Sequence, residues 1–340
     1  MTNHCLNDIY YMVKPLLPRK LQIFLRRTTI HYQIRKYRNI WPIDRESATQ
    51  PNGWKGWPEG KRFALVLTHD VDTARGHERC LDLMRLEAEL GFRSSFNFVP
   101  LRYAVSGEVR RTLEQHGFEV GVHGLYHDGQ YYRTKGTFLE RSTRINQFLK
   151  DWKAVGYRAP AMYHKLDLFH NLNIEYDAST FDTDPFEPHA VGAGTIFPFH
   201  VIDNGSRRGF IELPYTLPQD FTLFVLMQNT DIEIWKTKLR WIVEQGGMAL
   251  INTHPDYMSF GRTDNGNESY PAAFYEEFLK HIKEHYAGQY WHALPRELAR
   301  EWKNRYSIES LRMHPCNQSC NGGLVHAGAA NGKMPKAELR

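Results

Sequence analysis

The apolar run Phe63-Ala64-Leu65-Val66-Leu67 ends in Thr68-His69-Asp70-Val71-Asp72, and this junction limits the fold more than any other feature of the chain. The run has the length and composition of a buried strand. Two carboxylates then stand two residues apart where that strand should end. In extended backbone, residues i and i+2 share a face, so both carboxylates are aimed at one spot. Carboxylates that close repel each other, and a protein that keeps such a pair places a cation between them or shares a proton across them. A metal-assisted reaction is therefore the first chemistry to test.

Downstream, strand-like and helix-like segments alternate. A helix over 77–90 ends at Gly91, a strand over 94–99 ends at Pro100, and a helix over 106–116 starts at Ser106 as N-cap and ends at Gly117. Phe118–Val122 follows as a strand, and a long helix over 137–155 is expected to stop at Gly156. Short strands are expected over 174–176, 211–213 and 248–252, and helices over 231–244, 272–285 and 295–306. Repeated strand–helix units imply right-handed crossovers and a parallel sheet, closed as a barrel or open and doubly wound. No Gly-rich phosphate-binding motif follows any strand, so a nucleotide-binding sheet has no support.

The chain has 340 residues, 41% of them hydrophobic and 24% charged, enough for one large α/β domain with a packed core. The net charge of +5 is unevenly spread. Residues 1–40 hold eight Lys and Arg against Asp8, a net +7, which leaves −2 for the rest. The body therefore lacks the basic surface of a nucleic-acid binder. Residues 1–40 should be helical in two pieces, broken near Pro15 and Pro18. Their apolar and basic residues mix without a clean face. That favours packing on the body, with contact to an anionic membrane as the second reading. Residues 41–62, rich in Trp, Pro and Gly, read as an ordered loop. Residues 315–340 are small, polar and Gly-rich, as in a disordered tail. The expected division is a basic helical extension and entry loop over 1–61, a catalytic domain over 62–306 and a tail over 307–340.

Of the four cysteines, Cys316 and Cys320 have His314 and His326 nearby, but no second pair at finger-like spacing, so free thiols in a tail are expected over a metal site. Few cysteines, no secretory signal and no apolar run of about 18 residues point to a cytoplasmic protein, peripheral at the inner membrane face at most.

Two further sites fall at strand ends. His123-Gly124-Leu125-Tyr126-His127 follows Phe118–Val122. Two histidines at i and i+4 face one way if the segment turns helically, a spacing that suits a divalent ion. Ile251-Asn252-Thr253-His254 ends a late strand. With 17 histidines in the chain, one such pair arises readily by chance. Asp-x-Asp can simply cap a helix, and His254 can be a core residue. Joint placement at one sheet edge outweighs these bland readings, because it assembles two imidazoles and a carboxylate with coordination positions to spare.

Together with Arg158-Ala159-Pro160, these segments resemble the four ordered motifs of the polysaccharide deacetylase family (the NodB-homology domain, carbohydrate esterase family 4), over about Arg62 to Tyr257. The resemblance implies a distorted (β/α) barrel of about seven strands and metal-dependent removal of an N-acetyl group from a sugar. It implies His123, His127 and Asp72 as metal ligands, with zinc as the favoured divalent transition metal. Asp70 is then the general base, His254 the general acid, Arg158 the partner that keeps the base ionised, and the Ala161 N–H an oxyanion donor. An acetylated glycan or sugar is the implied partner. Departures from the family pattern exist. Val71 separates the two aspartates, so the division of roles between Asp70 and Asp72 stays open. Ala161 stands where a glycine is usual, and the fourth-motif tryptophan has no clear counterpart. Asp177 has a counterpart in many members, whereas Asp182 and Asp184 read as turn residues beside Pro185. Two rival readings keep their place: hydrolysis of a small amide or cyclic ureide, or of a peptidoglycan fragment, at the same metal site, and a catalytically silent glycan-binding module.

Overall fold

A computed structural model describes residues 18–128, 134–188, 191–203, 209–261 and 268–306. The described residues open with helix α1 (Arg19–Tyr37), which starts directly after Pro18; the first of the two expected helical pieces, Pro15, Cys5, Cys316, Cys320 and the tail lie outside the described residues. Strand β1 (Phe63–Val71) is buried along its whole length and is the hub of the sheet. It pairs in parallel with β2 (Ser95–Phe98) through its second half and with β8 (Met248–Thr253) through its middle. From β2 the parallel order continues through β3 (Glu119–His123), β4 (Gly156–Arg158), β5 (Tyr176–Asp177) and β7 (Gly209–Glu212). The chain leaving β7 closes the ring, since Leu217 bridges Ile251 of β8 and the Thr216 and Leu217 N–H groups donate to the Leu250 carbonyl. Seven parallel strands thus form a distorted (β/α)7 barrel. The distortion lies at β4 and β5, which are three and two residues long.

Two strands join outside the ring: β6 (Phe199–Ile202), antiparallel to β7, and β11 (Tyr290–His292), parallel to the first residues of β1. Neither was expected from the sequence, and a three-residue strand such as β11 carries too little periodicity to be recognised. The connecting helices are α2 (Ala74–Glu89), α3 (Gly107–Gln115), α4 (Lys135–Asp151), α5 (Leu166–Phe169), α6 (Glu233–Gln245), α7 (Ala272–Tyr286) and α8 (Pro295–Arg305). Ser106 caps α3 as expected, its Oγ accepting from the Glu108 and Val109 N–H groups. Helix α4 stops four residues before its expected end: Lys153 takes a left-handed conformation (φ 52°) and the Ala154 N–H returns to the Leu149 carbonyl. Gly156 is therefore not a helix stop. It opens β4, where a Cβ would lie 2.1 Å from the Tyr176 ring. A π-helical turn over Phe221–Leu226 was also unforeseen.

Alternation along β1 divides the core. Phe63, Leu65, Leu67 and Val71 pack in the layer of the surrounding helices, whereas Ala64 and Val66 point into the barrel. The base of the barrel is closed by the Trp-rich entry loop. Trp54 and Trp57 pack against Trp302 and Tyr306 near the end of α8, and the Trp57 indole N–H donates to the Gly246 carbonyl at 2.8 Å. A short strand pair, β9 (Met258–Ser259) with β10 (Tyr270–Pro271), leads into α7.

Candidate metal centre

The parity that turns Ala64 and Val66 inward at the base turns Thr68, Asp70 and Asp72 inward at the mouth. His69 has the opposite parity. Its ring lies under the helices, with Nε2 2.9 Å from Glu87 Oε1 and Nδ1 2.7 Å from Thr253 Oγ1, so it belongs to the framework.

Asp72 Oδ1 lies 3.3 Å from Nε2 of His123 and 3.1 Å from Nε2 of His127. Among the described residues this buried oxygen has no partner in hydrogen-bond geometry. Donor atoms bound to one tetrahedral ion at about 2.0–2.1 Å are spaced by about 3.3 Å, so the three residues fit a divalent metal ion. The tautomer agrees: the His123 Nδ1–H donates to the Arg158 carbonyl at 3.1 Å, which leaves the Nε2 lone pair directed at Asp72. Asp72 is braced from behind, since its N–H donates to Asp256 Oδ2 at 2.9 Å, and the Thr73 hydroxyl donates to Asp256 Oδ1.

The two histidines meet by a different route from the one expected. His123 is the last residue of β3, and the segment after it is a turn, not a helix. Gly124 (φ +61°) and His127 (φ 55°) both take left-handed conformations, bringing the ring centroids to 5.1 Å. Gly124 is required there, because a Cβ would lie 2.4 Å from Pro160 Cγ. The turn carrying His127 is thereby pressed against the Arg158-Ala159-Pro160 segment.

Asp70 lies beside this group, its Oδ2 3.9 Å from His123 Nε2. Asn97 Nδ2 donates to Oδ1 at 3.0 Å, Asn252 Nδ2 donates to Oδ2 at 2.9 Å, and Arg158 Nη1 stands 3.5 Å from Oδ1. Burial works against its charge, but Arg158, His123, His254 and the Asn97 hydrogen bond outweigh that and hold it below the ordinary carboxylate range. Asp72 is held well below that range too, with His127 and His123 overcoming its burial. The surroundings of both carboxylates thus favour the ionised form over a proton shared between them.

His254 follows β8 at the same rim. Its Nδ1 lies 2.7 Å from Asp220 Oδ1, and its own N–H donates to Asp220 Oδ2 at 2.8 Å. The Tyr270 hydroxyl also donates to Asp220. Burial alone lowers the His254 pKa, yet Asp220, with Asp72 and Asp70 behind it, lifts it to about 10. Asp220, Asn97, Asn252 and Asp256 had no functional reading in the sequence. The available signal for Asp220 was a carboxylate just after the apolar run that closes the barrel.

Asp177 is tied up locally. It accepts from the Ser179 N–H and hydroxyl, and burial beside Glu212 pushes it well above the ordinary range. Asp184 makes the expected turn, accepting from the Phe186 N–H at 3.0 Å. Asp182 instead forms a buried pair with Lys238 at 2.5 Å. Ala161 takes a left-handed conformation (φ 54°, ψ 31°) in the turn after Pro160.

No protein-family model matches the chain, and no curated protein matches it in sequence. Solved structures do match. A protein of Mycobacterium smegmatis described as a polysaccharide deacetylase superposes with a TM-score of 0.56 at 19% identity, over 80% of this chain and 99% of that one. A Pseudomonas aeruginosa PAO1 protein of the same description gives 0.56 at 18% identity, over 79% and 100%. The PuuE allantoinase gives 0.59 at 16% identity, over 78% and 98%. The chain therefore has the fold that these polysaccharide deacetylases share with the allantoinase.

Proposed function

We propose that the protein is a metal-dependent hydrolase that removes an N-acetyl group from an amino-sugar-containing glycan. One observation carries the reading: the Asp72, His123 and His127 donor atoms converge within 4.8 Å of one another, beside a second ionised carboxylate and a protonated imidazole on the same rim. Asp72, His123 and His127 would hold a divalent ion. Two imidazoles and a carboxylate favour zinc, and cobalt, nickel or iron accept the same donors. A divalent ion there supplies a Lewis acid that acidifies water and polarises an amide carbonyl.

The remaining steps belong to the chain. Asp70, oriented by Asn97 and Asn252 and kept charged by Arg158, takes the proton of the attacking water. The Ala161 N–H donates to the oxygen on which negative charge develops. His254 has Nδ1 committed to Asp220, so Nε2 is the nitrogen that delivers a proton to the departing amine, a poor leaving group without it. A silent binding module needs no such base and acid together.

The test is elemental analysis of the purified protein and its His123→Ala variant, followed by an acetate-release screen over acetylated sugars. The parent should hold about one equivalent of a divalent transition metal and release acetate, and the variant should do neither. Turnover retained in His123→Ala overturns the reading, and saccharide binding without any acetate release moves the chain to the binding-module class. The likeness to the PuuE allantoinase supports a second reading, hydrolysis of a small amide or cyclic ureide. Metal-dependent hydrolysis of such a compound, with every acetylated sugar inert, would select it.

A further inference from the structure

Helix α1 is apolar on two opposite sides. Ile23 and Ile30 are buried against the body, and the helix is pinned there by the Arg27 Nε–H donating to the Val225 carbonyl at 2.9 Å. The Arg26 and Arg19 guanidinium groups lie 5.1 and 5.9 Å over the Phe221 ring. On the far side, Leu21, Phe24, Leu25 and Tyr32 form a stripe at i, i+3, i+4 and i+11. They are exposed by 40, 63, 41 and 81%, and they are four of the seven large hydrophobic residues exposed among those described. A stripe of this kind marks an interaction surface rather than ordinary surface scatter.

The charge around the stripe is of one sign. Helix α1 contains six Lys and Arg residues and no acidic residue, and Arg38 follows it. Arg19 pairs with Glu268, but among the described residues no carboxylate pairs with Lys20, Arg35, Lys36 or Arg38, all of which are exposed. A two-fold contact with a second copy would set this acid-free row of cations against itself, which opposes association. An anionic bilayer surface complements both features, taking the apolar stripe into the headgroup boundary and the flanking cations at the phosphate level.

We propose that the solvent face of α1 docks the protein on an anionic lipid surface. The same helix borders the barrel mouth, since Arg19 and Arg26 lie over Phe221, whose ring packs tilted against Tyr257 at 4.8 Å, and Tyr257 lies 5.4 Å from the His254 ring. Docking therefore brings the mouth close to the bilayer.

The test is co-sedimentation of the full chain with vesicles of phosphatidylcholine alone and of phosphatidylcholine with one-third phosphatidylglycerol, at low and high salt. The protein should pellet with the anionic vesicles only, and less at high salt. The Phe24→Ser/Leu25→Ser variant should lose binding while melting at the parent temperature, because both side chains are exposed. Arg35→Gln/Lys36→Gln should weaken partitioning by about fivefold per cation. Equal binding to neutral vesicles, or no binding to either, overturns the proposal. So does binding that survives Phe24→Ser/Leu25→Ser but is lost on deleting residues 1–17. A dimer that dissociates in Phe24→Ser/Leu25→Ser, without vesicle binding by the parent, assigns the face to a second copy instead.

Discussion

At the base of the barrel β1 turns Ala64 and Val66 inward, into one cluster with Trp57, Leu298 and Trp302; at the mouth the same strand turns Asp70 and Asp72 inward, among His123, Arg158 and His254. The base is held by apolar burial, which is non-directional and tolerant of small shifts. The mouth is held by placed hydrogen bonds: Asn97 and Asn252 on Asp70, Asp256 on the Asp72 backbone, Asp220 on His254. Carboxylates gathered at one spot do not stabilise a fold, and left-handed non-glycine residues at His127 and Ala161 add strain. The difference between the two ends separates residues whose placement serves folding from those whose placement fits the proposed chemistry.

The sharpest way to break that comparison is a pair of substitutions. His127→Gly removes a proposed metal ligand whose side chain is 21% exposed, at a backbone conformation glycine adopts freely. Metal binding and turnover should be lost together, while the stability of the metal-free protein changes by less than about 1 kcal/mol. Trp57→Ala should do the reverse, costing about 3–5 kcal/mol for a buried indole that also loses its bond to Gly246, with metal stoichiometry kept in the folded fraction. Denaturant titration beside metal analysis checks both. A Trp57→Ala protein that keeps its stability but loses its metal would show that the two ends are not separable.

A smaller effect is expected at Asp220→Asn, which sharpens the comparison within the mouth itself. His254 holds its proton more tightly in the folded protein, near pH 10, than at its ordinary value of 6.5. Its contribution to stability is therefore present in full below about pH 6.5, declines above that and is gone once the pH has passed about 10. Without the Asp220 charge the His254 pKa should fall, moving the loss of stability and the alkaline limb of kcat to lower pH. Turnover should drop about a hundredfold at neutral pH. NMR titration of the His254 ring in metal-free protein, parent against variant, reads the shift directly; an unmoved ring pKa would remove Asp220 from this role.

The sequence and the structure agree where the information is local. Apolar runs, a Ser106 cap and the i, i+2 parity of Asp70 and Asp72 each act within a few residues, so six of the seven barrel strands and the inward pair were legible, and β4 was not. The misses at the site depend on distant contacts. The turn at His127 follows from Gly124 meeting Pro160, thirty-odd residues away in the chain, and nothing in His-x-x-x-His tells a helix from such a turn. Asp220 faces His254 across the closure of the barrel, and Asn97 reaches Asp70 from the neighbouring strand. The mixed face of residues 19–37 is explained by two apolar lines on opposite sides, only one of which the barrel covers.

The smallest effect, and the finest test of strain at the mouth, is at Ala161. Its φ of 54° lies in the left-handed region, which costs an L-residue with a Cβ about 1–2 kcal/mol relative to the right-handed one. Glycine escapes that cost but gives up about 0.4–1 kcal/mol through the extra freedom of the unfolded chain. Ala161→Gly should thus stabilise the protein by a net of about 0.5–1 kcal/mol, read as a rise in the denaturant midpoint at constant slope. If the Ala161 N–H is an oxyanion donor, a freer backbone there should also lower kcat without changing KM, because the interaction strengthens only as charge develops. A more stable variant with slower turnover would locate one point where the mouth retains strain because the reaction needs the geometry. A variant with neither change would mean that the surrounding turn, anchored at Pro160, holds the conformation whatever the residue.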